Sequence, residues 1–332
     1  MNKVTTMVFI NGVIIKMKLI TFKDIENLNI SPTTCFKWAS DMIEYKKEIC
    51  LPAKISMKPR DGAFINVMPV IIGNMKKQSY GGVKIVTRYP GREPSLDSQI
   101  LLLDANTGDS LALMDGDWIT TMRTGAVAVH SIKLLAKKDF KTMGIMGLGN
   151  TVRAMLLILL EIFKDRQFTI KLLRYKNQAE LFIDRFKGYS NVDFIIVDDI
   201  KTLVKGSDVV VSGVTYLDND VCPDEYFDEG VLLVPIHTRG FSNCDLFFDK
   251  VYVDDVGHVE GFKNFAKFKF CSEVADVVNG KNIGRENDKE RIVAYNVGVA
   301  MHDIYFASKL YEKLQNTTKD IDLLKPKEKF WV

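Results

Sequence analysis

The chain has 332 residues, and its 45 lysines and arginines against 42 aspartates and glutamates leave a net charge of +3. With 47% hydrophobic and 26% charged residues it has the make-up of an ordinary soluble globular protein, too evenly charged for the basic stripe of a nucleic-acid binder. The length suggests roughly two domains of about 150 residues each.

The first ten residues superficially resemble a signal peptide, but Asn11-Gly12 splits the apolar run and Lys16 and Lys18 follow it. A strand, an Asn-Gly turn and a second strand fit better. A helical pattern covers Cys35–Lys47, then short β-rich runs follow at Ile65–Val70, Gly82–Thr87, Gln99–Asp104 and Ser110–Met114. From Thr120 the pattern alternates. Thr124–Lys137 reads as a helix, Thr142–Met146 as a strand, Asn150–Phe163 as a helix and Phe168–Leu173 as a strand. Asn177–Phe186 is a helix, Val192–Val197 a strand, Ile200–Lys205 a short helix, and Val209–Ser212 and Val231–Ile236 are strands. Such alternation predicts an α/β fold with a parallel, doubly wound sheet. An amphipathic helix through Ile304–Leu314 and a Lys-rich tail close the chain. The most apolar run, Met155–Leu160, stops at Glu161, far short of the roughly 20 residues of a membrane span. Five widely spaced cysteines (Cys35, Cys50, Cys222, Cys244, Cys271) indicate reduced thiols and a cytoplasmic location.

The stretch from Thr142 to Val152 is a strand followed by Gly147-Leu-Gly149-Asn150-Thr151-Val152 and a helix. The first glycine allows a tight turn, the second lets backbone approach a pyrophosphate, and the helix N-terminus supplies N–H groups and a positive dipole. Val152 stands where a third glycine or alanine is usual. Without the surrounding strands and helices this is only a strand-to-helix turn, so its context carries the reading. No acidic residue ends the second strand to hold a ribose hydroxyl; Arg174 and Lys176 occupy that region. Their charges suit a 2′-phosphate, favouring NADP(H) with NAD(H) as the alternative, unless both are simply solvated.

Further segments precede the fingerprint: Asn66-Val-Met-Pro69, Gly82-Val-Lys84, Thr107-Gly108 with Asp115-Gly116, and Arg123-Thr124-Gly-Ala126. In this order they resemble the ornithine cyclodeaminase/μ-crystallin family, strongly over about residues 55–215 and weakly elsewhere. The resemblance implies a homodimer. Residues 1–120, completed by the C-terminal helix region 300–332, would form a mixed α+β substrate and dimerisation domain, and 121–299 a Rossmann domain. It also implies hydride transfer between a nicotinamide and the α-carbon of an amino or imino acid, in the cleft between the two.

Within that frame, Lys84 would bind the substrate carboxylate or the reacting nitrogen, the alternative being a solvated strand lysine. Arg123 would clamp the carboxylate, the alternative being a structural ion pair. Arg60, with Lys58 as second choice, would be another carboxylate partner, and Thr124 a donor to the cofactor phosphates. Ser212 and the Asn296-Val297 backbone, in a stretch matching a family segment beside the nicotinamide, complete the expected cofactor set.

Departures from the family are as informative. Cyclodeaminases carry Glu where Asn66 stands and a catalytic Asp where ungapped counting puts Arg239. Arginine cannot serve as an acid–base group near neutral pH. Arg92 replaces part of a usual Pro-x-Asn, and Arg92 and Arg239 together would suit a second substrate carboxylate, as in the opine-like branch. Val253-Asp254-Asp255-Val-Gly-His258 resembles a stretch of that same branch. His237 is a candidate proton donor or a structural histidine. No His or Cys pair has metal-ligand spacing. The expected activity is an NADP(H)-linked oxidoreductase acting on a C–N bond α to a carboxylate. The alternatives are an ornithine cyclodeaminase and a non-enzymatic NADPH-binding protein.

Overall fold

The structure is a computed structural model that describes residues 12–73, 79–214, 217, 219–237, 240–326 and 329. The first half of the expected N-terminal hairpin and Arg239 lie outside these residues. The chain begins with strand β1 (Gly12–Ile20), helix α1 (Phe22–Asn27) and helix α2 (Pro32–Glu44). Both helices are started by local chemistry. Thr21 and Asp24 form a reciprocal capping box on α1, while the Ser31 side chain caps α2, which begins with proline.

Strands β2 (Ile49–Cys50), β3 (Ile55–Met57), β4 (Phe64–Ile72), β5 (Tyr80–Arg88), β6 (Leu96–Asp104) and β7 (Ser110–Asp115) follow. Helix α3 spans Asp117–Leu135. It starts well before the expected Thr124, because Gly116 packs on Ser98 and the Asp117 carboxylate accepts the Ser98 N–H at 2.8 Å. Then come β8 (Thr142–Met146), α4 (Asn150–Ile162), β9 (Phe168–Leu173), α5 (Gln178–Phe186), β10 (Val192–Val197), α6 (Ile200–Val204), β11 (Val209–Ser212) and β12 (Leu232–Pro235). The order closes with α7 (Cys244–Phe247), β13 (Lys250–Val253), β14 (Cys271–Glu273), α8 (Val274–Val278), β15 (Ile292–Tyr295), α9 (Ala300–Leu314) and β16 (Lys319–Pro326).

Among the described residues the strands form two eight-stranded sheets. The first has the order β16-β1-β7-β6-β5-β4-β2, with β3 also on β4; the second runs β10-β9-β8-β11-β12-β15-β13-β14. Every pairing in the second is parallel. The expected Lys-rich tail is instead β16, antiparallel to β1, with Ile15 opposite Leu323 and Lys18 paired to Asp320 at 2.7 Å.

The pleat of the first sheet decides what reaches the interior. Met68, Lys84, Ile100, Met114 and Ile20 form one cross-strand row, and all are buried. The neighbouring row of Pro69, Val83, Leu101 and Leu113 faces the other way. Helix α9 lies on the inner face. It crosses β5 at Gly82, where a Cβ would meet Ile304 at 2.6 Å, and this close approach brings Asp303 beside Lys84. Helices α3 and α4 cross as closely, since a Cβ on Gly125 would stand 2.6 Å from the Met155 nitrogen. Arg123 on α3 lies beside the turn that follows β15, where a Cβ on Gly298 would stand 3.0 Å from its Nη1.

Candidate active site

In the second sheet the strand order reverses between β8 and β11, where ligands of open α/β sheets bind. Gly147 leaves β8 with φ +77°, and any Cβ there would collide with Gly213 and Val214 at 2.5 Å. Gly149 begins α4 with no side-chain cap, and nothing lies within 4 Å of where its Cβ would be. The leading N–H groups of α4 therefore face open space, the cradle a pyrophosphate requires. The irregular Val152 has a physical explanation. Its side chain fills the place a Cβ on Gly213 would take, 2.4 Å away, so the glycine has moved from the helix to the end of β11. The residues present fit a dinucleotide.

Against this cradle lies a cavity of about 240 Å³, reached by Lys54, Lys84 and Arg123 on one side and by Thr151, Gly213 and Val297 on the other. Phe64, Met68, Val86 and Leu96 give it an apolar wall. Lys84 is fully buried and donates to Asp303 Oδ1 at 2.8 Å. Arg123 donates its Nε–H to the same oxygen, also at 2.8 Å. Lys84 is thus not solvated, and Arg123 is held by an ion pair that engages only Nε. Its Nη1 and Nη2 have no hydrogen-bond partner among the described residues and remain able to grip a carboxylate.

Electrostatics follow from burial. Desolvation, then the Arg123 charge, pushes the Lys84 ammonium down to about 7 despite Asp303. Lys54, which donates to the Val297 carbonyl at 2.8 Å, is lowered to about 8 for the same two reasons. Burial alone would raise Asp303, but Arg123 and Lys84 overcome it and hold the carboxyl below its ordinary value. Asp254, also buried, accepts the Gly298 N–H at 2.9 Å.

The other expected residues divide into those the cavity gathers and those it does not. Asn66, Thr124, His237, Asn296 and Val297 line it. Thr124 donates its hydroxyl to the Thr120 carbonyl at 2.6 Å, and the Asn296 side chain joins Ser131 at 3.1 Å and Ala294 at 2.9 Å. Both side chains are thus committed within the protein. His237 Nε2 lies 2.7 Å from the Ser212 hydroxyl. Arg60 and Arg92 require correction. Neither lines the cavity, and both stand near the Tyr89 ring, at 5.6 and 5.7 Å from its centroid. The Arg92 guanidinium is spent on the Thr87 and Ser95 carbonyls of its own turn, each at 3.0 Å. Arg174, at the end of β9, is exposed and paired with Asp198 at 2.7 Å and Glu180 at 2.6 Å. Lys176 follows at φ +50°. Sequence reasoning missed Lys54, which no motif marks, and the part played by Asp303, whose signal was a carboxylate inside an apolar helical face.

Residues 16–318 match the sequence profile of the ornithine cyclodeaminase/mu-crystallin family. The chain belongs to this family. Among its curated relatives is the N-((2S)-2-amino-2-carboxyethyl)-L-glutamate dehydrogenase of Staphylococcus aureus, 29% identical over 231 residues, covering 65% of this chain and 68% of that protein. The Delta(1)-pyrroline-2-carboxylate reductase of Bacillus cereus is 26% identical over 254 residues, covering 70% and 77%. Among solved structures, the Thermococcus litoralis Delta(1)-pyrroline-2-carboxylate reductase, in complex with NADH and L-proline, has a TM-score of 0.76 at 24% identity. That match covers 92% of this chain and all of the other, and shows that this member shares the family fold.

Proposed function

We propose that this enzyme, an NAD(P)-dependent oxidoreductase by its family and relatives, reduces the C=N bond of an α-imino acid or oxidises the corresponding amine. The carrying observation is the convergence of Lys54, Lys84 and Arg123 on a small cavity that abuts the α4 cradle. With Lys84 protonated, the three cations against the buried Asp303 and Asp254 leave one positive charge, the complement of a single substrate carboxylate. Held there, the α-carbon lies beside the cofactor cradle, which makes transfer effectively intramolecular. The bound nicotinamide would supply or accept the hydride. Lys84, poised near neutrality, hydrogen-bonds the nitrogen and hands it a proton.

The apolar wall of Phe64, Met68, Val86 and Leu96 favours a compact uncharged side chain or a ring. No carboxylate lines the cavity among the described residues, which weighs against ornithine and against the cyclodeaminase alternative. The test is oxidation of NADPH with linear and cyclic α-imino acids. Turnover should fall as pH rises through about 7 to 8, because Lys84 and Lys54 lose their protons there. A flat profile from pH 6 to 10, or no turnover with any imino acid, would sink the reading.

NADP(H) is the proposed cofactor. The partners of Arg174 are surface carboxylates, and such exposed pairs are worth only about 0–1 kcal/mol, so a 2′-phosphate can displace them. NADPH should bind about tenfold tighter than NADH, and Arg174→Ala should erase that difference while leaving NADH affinity alone; a fluorescence titration reads both. We further propose the division into a 1–120 plus 300–332 unit and a 121–299 unit, and a homodimer. The outward face of the first sheet, with Ile71 and Ile85 49% and 39% exposed, supports the dimer, and a monomer in sedimentation equilibrium would exclude it.

A further inference from the structure

The Asp254-Asp255-x-x-His258 stretch at the end of β13 reaches the cavity from behind. Asp254 holds the Gly298 N–H at 2.9 Å, and Gly298 lies so close to Arg123 that a Cβ there would be 3.0 Å from its Nη1. Asp255 and His258 act on the other side. His258 Nδ1 lies 2.7 Å from Asp255 Oδ1, and its Nε2 lies 3.3 Å from the backbone nitrogen of Lys54. A backbone N–H can only donate, so Nε2 must accept; Nδ1 then carries the proton and gives it to Asp255. The second Asp255 oxygen is 2.8 Å from Lys46 Nζ, which also reaches Glu273 at 2.5 Å. Glu273 in turn accepts the Val256 N–H at 3.0 Å.

The His258 side chain is 1% exposed, and Lys46 is 8% exposed. This is a built polar network, and its one outward-reaching member is the imidazole lone pair spent on the Lys54 backbone. Residues 51–54 have no strand or helix of their own. Among the described residues, this bond and the Lys54 Nζ contact to Val297 are the polar ties between that segment and the connections that follow β13 and β15.

We propose that His258, oriented by Asp255, is a positioning residue that sets the Lys54 backbone so that its ammonium enters the carboxylate site. The inference rests on reading the cavity as a carboxylate site, and it explains why a histidine far along the chain belongs to the substrate-binding apparatus without touching substrate. Lys46 and Glu273 hold Asp255 and the start of the turn, so the imidazole cannot swing away from the segment.

Two measurements test it, each on the full chain with NADPH present. The first is hydrogen–deuterium exchange of the 51–57 segment. His258→Leu, which keeps bulk and removes the acceptor, should raise exchange at the Lys54 amide at least tenfold, whereas Lys54→Met should not. The second is calorimetric binding of pyrrole-2-carboxylate, a planar carboxylate probe. His258→Leu and Lys54→Met should each weaken it about tenfold, and the double variant no more than the weaker single. His258→Gln, which restores an acceptor oxygen, should recover part of both effects.

Unchanged exchange in His258→Leu overturns the proposal, and so does a double variant whose losses multiply, since His258 would then act independently of Lys54. If the leucine variant cannot be purified, the wild-type amide decides: protection of Lys54 supports the tie and free exchange overturns it. Failure of wild-type protein to bind the probe would count against the proposed function, and the exchange measurement would still decide the role of His258.

Discussion

Replacing Asp303 with alanine is expected to lower folding stability by about 3–5 kcal/mol, the cost of leaving buried charges without their partner. Asp303 is fully buried, and one of its oxygens takes both Lys84 and Arg123. Truncation leaves two buried cations facing each other without their counter-charge. Arginine cannot shed its proton, so Lys84 must, and its pKa falls below the value of about 7 it has beside Asp303. The sign of the pH dependence follows. Below pH 7 wild-type Lys84 takes up a proton in the folded state while the variant's cannot, so the deficit widens toward acid and is constant above. Urea unfolding at pH 6 and pH 8 measures both features. Asp303→Asn, which keeps an acceptor, should cost less at either pH. The same truncation frees the Arg123 guanidinium from its one fixed bond, and kcat/KM for an imino acid should drop about 100-fold. A loss of stability under about 1 kcal/mol would show that Asp303 is not what balances these cations.

Lys84 and Asp303 also show where sequence reasoning reaches and where it stops. Alternation along 83–85 predicts that Lys84 faces away from Val83 and Ile85, and it does, because a strand offers only two faces. That Lys84 is buried depends on α9, whose Asp303 lies 219 residues away along the chain. No local pattern encodes that pairing. The fingerprint was readable because its turn, glycines and helix start are contiguous, and β8, β9, β10 and β11 fall on their expected boundaries for the same reason.

β16 was not readable. Its lysines and aspartates form a strand only because β1 offers an edge and Lys18 a partner for Asp320. Arg60 and Arg92 illustrate the opposite error. Their charge is suited to a carboxylate, yet a nearby tyrosine ring and the carbonyls of a turn claim them first. Lys54 needed the three-dimensional fold altogether, since its backbone is tied to His258, 204 residues further along the chain.

Acid should destabilise the protein well above the range where carboxylates titrate. His302 on α9 and His130 on α3 are buried, and neither ring nitrogen of His302 nor Nδ1 of His130 has a hydrogen-bond partner among the described residues. Burial lowers His302 to about 3, with Arg123 adding to the effect, and lowers His130 to about 4, with Lys133 adding. In the unfolded chain both titrate near 6.5. Between about 4 and 6.5 the unfolded state therefore binds protons that the folded state refuses, and stability falls as pH drops through that window. At pH 5 each histidine costs about 2 kcal/mol on this account. Asp245 works the other way. Its carboxyl is raised to about 6, mainly by burial, so the folded state gains a proton there and recovers about 1 kcal/mol at pH 5. These three groups together take away about 3 kcal/mol between pH 7 and pH 5, a large share of the 5–15 kcal/mol typical of a domain. Urea midpoints across that range read it directly. A His130→Gln/His302→Gln double variant should flatten the dependence, because its two largest destabilising contributions are gone while Asp245 still gains its proton. If the double variant loses stability toward pH 5 as steeply as wild type, these histidines are not the source.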